Sequence, residues 1–65
     1  MDKADLVELI CGELKRQYEV DDPLSLNPLS WYTEQRHVDG TIDFIAIDGN
    51  PDIHALADKI LEAFN

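Results

Sequence analysis

Apolar residues recur at helical spacing in two stretches of the chain, and between them lies a run with the length and composition of a strand. In residues 2–18, Leu6, Val7, Ile10, Leu14 and Tyr18 fall on one stripe when wound at about 100° per residue. Lys3 and Gln17 sit over the ends of that stripe, where long side chains lie across apolar surface. Asp2, Asp5 and Glu8 come early and Lys15 and Arg16 late, which suits the helix dipole. Gly12 falls on the opposite side and weakens the helix by about 1 kcal/mol relative to Ala. A second helix is predicted over residues 51–64, with Ile53, Leu56, Ala57, Ile60, Leu61 and Phe64 as its apolar stripe. Asn50 would cap it, Pro51 would occupy the first helical position, Asp52 suits the first turn, and Phe64 is expected to dock the end of the chain.

Between the helices, Ile42-Asp43-Phe44-Ile45-Ala46-Ile47 reads as a strand over residues 41–47. Residues 31–38 form a more polar partner strand, and Asp39-Gly40 supplies the turn of an antiparallel hairpin. A two-residue turn pairs Val38 with Thr41, Arg36 with Asp43, Glu34 with Ile45 and Tyr32 with Ile47, so that Arg36 meets Asp43 as an opposite charge. A three-residue loop with a glycine bulge is the alternative, and it shifts the pairing by one. Residues 19–30 are the connector, in which two prolines and Asp21-Asp22 stop the first helix. Its leucines (Leu24, Leu26 and Leu29) are expected to plug the open side of a small core.

The order helix, hairpin, helix gives a single α+β domain with both helices across one face of the hairpin. In the two-residue register that face carries Trp31, Thr33, Gln35, His37, Ile42, Phe44 and Ala46. The opposite face would leave Tyr32, Ile45 and Ile47 together beside charged neighbours. An apolar patch of that kind is the expected protein interface.

Length and charge narrow the function. Sixty-five residues bury only about 60% of the surface that the unfolded chain exposes, and chains near this limit draw on disulfides, metals or oligomerisation. Cys11 is the only cysteine, so no disulfide forms within one chain. Self-association is therefore the expected source of the missing stability. Fourteen Asp and Glu against five Lys and Arg give a formal charge of −9. That balance argues against direct nucleic-acid binding and against anionic membrane surfaces, while a basic protein partner remains compatible with it. The start of the chain has no basic segment followed by an apolar core, and a free cysteine suits a reducing compartment, so a cytoplasmic location is expected.

Candidate chemistry is sparse. Cys11 lies at the edge of the first apolar stripe without a base or cation beside it, as a small hydrophobe would. His37, with Asp39 and Asp43 near it, and His54 lack the spacing of a metal site. Asp48-Gly49-Asn50-Pro51-Asp52 touches on a calcium loop but lacks the alternating ligands and terminal Glu. No nucleophile triad, P-loop or dinucleotide motif occurs. The expectation is a small acidic interaction module without catalytic activity, cofactor or metal, pairing with itself or with a protein partner. An acidic inhibitor that mimics nucleic acid and blocks a basic nucleic-acid-binding protein is the alternative.

Overall fold

The computed structural model of the protein describes residues 1–20 and 28–64. Its elements follow the expected α-β-β-α order: α1 (Lys3–Glu19), β1 (Leu29–Arg36), β2 (Ile42–Gly49) and α2 (Ile53–Phe64). The expected plugs Leu24 and Leu26 lie outside the described residues. Leu29, expected in the connector, is instead the first residue of β1 and is 1% exposed.

α1 begins one residue later than the pattern suggests because Asp2 is its cap. The Asp2 carboxylate accepts from the Asp5 N–H at 2.9 Å, satisfying one of the orphan donors of the first turn. At the other end the Val20 N–H donates to the Arg16 carbonyl at 3.0 Å. α2 starts two residues later than expected, and its cap is Asp52 instead of Asn50. The Asp52 Oδ1 accepts from the N–H groups of His54 and Ala55, each at 3.1 Å. Pro51 therefore stands outside the helix. Asn50 serves the sheet through its backbone, its N–H donating to the Pro28 carbonyl at 2.8 Å.

β1 and β2 pair antiparallel, with Tyr32 opposite Ile47, Thr33 opposite Ala46, Glu34 opposite Ile45 and Gln35 opposite Phe44. That is the register expected along the body of the hairpin. The turn is not the expected two-residue one. The loop holds Val38, Asp39 and Gly40, closed by His37 N–H to the Thr41 carbonyl (2.8 Å) and Gly40 N–H to the His37 carbonyl (2.9 Å). Gly40 takes φ 90°, which glycine adopts without strain. A bulge then puts Arg36 opposite Ile42, restoring the register that the longer loop would have shifted. Arg36 consequently does not meet Asp43 across the strands. A second irregularity lies at the far end, where Leu29 pairs with Gly49 and Trp31 with Asp48.

The two bulges decide which face is which. Each turns an extra aliphatic residue onto the side of Tyr32, Glu34 and Arg36, so Leu29, Ile42, Ile45 and Ile47 share one face. α1 packs on that face, the reverse of the expectation. Four aliphatic side chains there outweigh the two aromatics opposite, which stand among Thr33, Gln35 and Ala46. Trp31, expected inside, is 54% exposed on the uncovered face. α2 is held to the hairpin through α1: it packs on α1, and no α2 Cα comes within 8 Å of a strand Cα. With no strand beneath it, α2 leaves Phe64 62% exposed instead of docked.

Candidate interaction surface

The expected interface residues stand on the covered face of the hairpin. Tyr32 and Ile45 are half-buried beside α1, and Ile47 keeps 38% of its surface. Burial, reinforced by the Glu34 carboxylate, pushes the Tyr32 phenol up to about 12. Cys11 projects from α1 into the same region and is buried, and burial, then the charges of Glu34 and Glu8, raise its thiol. A thiol held protonated is a poor nucleophile, which agrees with its reading as a small hydrophobe at the core margin.

Arg36 ties α1 to the hairpin. Its Nη1 donates to Glu8 Oε1 at 2.8 Å and its Nη2 to Glu8 Oε2 at 3.2 Å, the two-point geometry that a guanidinium offers a carboxylate. Nη1 also donates to the Gly40 carbonyl at 2.6 Å, fixing the hairpin tip. Nη2 lies 3.0 Å from Glu34 Oε2, close enough for attraction but misaligned for a hydrogen bond, so that buried oxygen lacks a hydrogen-bond partner. The Arg36 hydrogen bond holds the Glu8 carboxyl below its ordinary range. Two clefts flank this network. One, of about 340 Å³, is lined by Lys3, Ala4, Val7, Glu8, Thr41 and Ile42. The other, of about 210 Å³, lies between α1 and the hairpin, with Cys11, Lys15, Tyr32 and Glu34 in its lining.

The remaining candidates have local roles. His37 Nε2 lies 3.2 Å from Asp43 Oδ1, whereas Asp39 turns to Thr41 and accepts from its N–H (3.0 Å) and hydroxyl (2.7 Å). Among the described residues no group of three or more His, Cys, Asp or Glu is placed to hold a metal ion. In the segment that touches on a calcium loop, Asp48 accepts from the Ser30 hydroxyl, Gly49 ends β2 and Asp52 caps α2.

Other apolar side chains stand open elsewhere, Val38 at the hairpin tip among them. Trp31 and Phe44 stand out from the uncovered face of the hairpin, each more than half exposed. On α2, Ile53, Leu61 and Phe64 are each more than 60% exposed, while Ala55, Leu56 and Ile60 are half-buried. Periodicity marks the α2 stripe as an apolar face without saying what covers it, so the pattern alone points that stripe to the core. Trp31 and Phe44 keep the face expected for them, but the bulges carry Leu29 and Ile42 to the opposite one, which α1 covers instead, so both aromatics are left open. Among the described residues no helix is long and apolar enough to cross a membrane. No family model, curated protein or solved structure matches the chain.

Proposed function

We propose that this chain is a small acidic protein–protein interaction module, a homodimer of the cytoplasm with no catalytic activity of its own. One observation supports the reading above the others. The single chain leaves 4907 Å² accessible to solvent, roughly 700 Å² more than the ~4,200 Å² of a typical folded monomer of this size. One side of a standard protein interface covers about 800 Å². The excess is similar in size to what one partner would remove. The radius of gyration agrees: 12.5 Å against about 10.7 Å for a compact chain of this length. Trp31, Phe44, Ile53, Leu61 and Phe64 are each more than half exposed, which favours a protein partner over a charged ligand.

Sedimentation equilibrium across a range of salt concentrations tests the proposal. Each copy carries −9, so copies repel at low salt, and screening strengthens their pairing. The expected result is twice the chain mass, with tighter association at higher salt. A chain that stays monomeric at millimolar concentration and high salt, with its circular dichroism intact, overturns the homodimer. Capture of a basic nucleic-acid-binding protein that loosens as salt rises would favour the inhibitor instead.

A further inference from the structure

The two helices run antiparallel. Gln17, in the last turn of α1, bonds to Asp52 at the start of α2, and α2 packs on α1 from there, running back along it. Advancing around α1, the flank that meets α2 (Glu13, Gln17) is followed by the apolar stripe of Ile10 and Leu14. The flank that meets the hairpin (Glu8, Cys11) comes after that. Around α2, the half-buried flank of Leu56 and Ile60 is followed by Ile53, Ala57, Leu61 and Phe64. Reversing a helix mirrors its sense of rotation, so both stripes turn to the same side of the helix pair. On that side α2 presents a strip without a formal charge, its acids Asp58 and Glu62 lying further round.

Given that the chain pairs with a second copy, the reading proposed for it, the geometry points to this α2 stripe as the surface on which the copies meet, helix against antiparallel helix about a two-fold axis. An isologous contact requires that residue i meet j while j meets i. The stripe meets that condition: Ala57 stands midway between Ile53 and Leu61, four residues from each. With Ala57 at the axis, Ile53 of one copy packs on Leu61 of the other, and the small side chain between them lets the helices approach. The uncharged strip also lets two chains of the same strong charge come together where their repulsion is least. The outer hairpin face offers no such match, since Trp31 and Phe44 stand beside the polar Thr33 and Gln35.

Two kinds of variant decide the matter. Ala57→Cys, made in a Cys11→Ser background, is expected to oxidise to a covalent dimer. Leu61→Glu is expected to weaken the dimer roughly 100-fold while Phe44→Glu leaves it unchanged, both read by sedimentation with circular dichroism as the control for folding. If Leu61→Glu fails to fold, the Ala57→Cys crosslink decides alone. A dimer that survives Leu61→Glu, is lost in Phe44→Glu and gives no crosslink overturns the α2 seam while leaving the homodimer standing. A monomeric wild type removes both.

Discussion

The Gln17 carboxamide grips the Asp52 peptide at both of its polar groups. Its Nε2 donates to the Asp52 carbonyl at 3.0 Å, and its Oε1 accepts from the Asp52 N–H at 2.8 Å. Asp52 is the cap of α2: its carbonyl also accepts from the Leu56 N–H at 3.2 Å, whereas its N–H precedes the helical ladder. A side chain from α1, 35 residues away in the sequence, thus completes the start of α2, while the Asp52 carboxylate satisfies the first turn. Gln17 is 1% exposed and makes this joint between the helices specific.

Replacing Gln17 with Leu keeps the volume and removes both bonds. The expected cost is about 1–2 kcal/mol, the lower part of the range for unsatisfied groups, because water can reach the exposed Asp52. A urea midpoint that falls without a change in slope would report it. An unchanged midpoint would mean that helix packing, not the amide clamp, sets the joint.

Two glycines should respond in opposite directions to alanine. Gly49 has φ 127°, and a Cβ there would run into the Pro28 carbonyl oxygen and lie 2.9 Å from Leu29 Cα. Gly49→Ala is expected to cost at least about 2 kcal/mol through backbone strain and the spreading of the two strands. Gly12 has nothing within 4 Å of its notional Cβ and an ordinary helical backbone. Gly12→Ala is expected to stabilise by about 1 kcal/mol. Thermal melts of the pair test both signs at once.

Alkaline titration reports how well α1 covers the hairpin. The Tyr32 phenol is pushed up to about 12, chiefly by burial, while an unfolded tyrosine ionises near ~10. The folded state therefore holds this proton more tightly. The stability it contributes is present below about pH 10 and is lost as pH rises from ~10 to ~12. With Tyr18→Phe leaving Tyr32 as the single tyrosine, absorbance at the tyrosinate band should show a midpoint near 12, falling to about 10 in denaturant. A folded-state midpoint near 10 would mean that Tyr32 is open to water.

Acid acts in the opposite sense. Hydrogen bonds to Arg36, Arg16 and Thr41 respectively hold the carboxyls of Glu8, Glu13 and Asp39 below their ordinary values. The stability they give is present above about pH 4.5 and is lost as pH falls through their depressed values. Glu13 is the buried member of the three and pairs with Arg16 at 2.6 Å. Glu13→Gln should flatten part of the acid limb and cost about 1 kcal/mol at neutral pH, a small figure because Arg16 is half in water. Stability curves against pH for the wild type and this variant would show whether the limb changes.

Local rules placed the elements well and their ends less well. The stripe from Leu6 to Tyr18 and the run from Ile42 to Ile47 needed only periodicity and side-chain type. The caps were harder, because Asn50, Pro51 and Asp52 are all plausible at a helix start, and Gln17 favours the third from a distant part of the chain. For the candidate surface, the sequence supplied Ile45, Ile47 and Tyr32 as neighbours on one face, which they are. It could not say that α1 would lie over that face.

The sequence by itself determined the α-β-β-α order, the pairing along the body of the hairpin, the strong negative charge and the amphipathic stripe of each helix. Each follows from chemistry that acts within a few residues: helical period, β-branched composition, turn glycines and the count of ionisable groups. Only the tertiary structure decided which hairpin face is covered and which part of α2 stays open. Those outcomes hang on two bulges that move Leu29 and Ile42 across the sheet, and on the Arg36–Glu8 and Gln17–Asp52 contacts between segments far apart in the chain. Side chains that meet only after folding leave no periodic trace in the sequence.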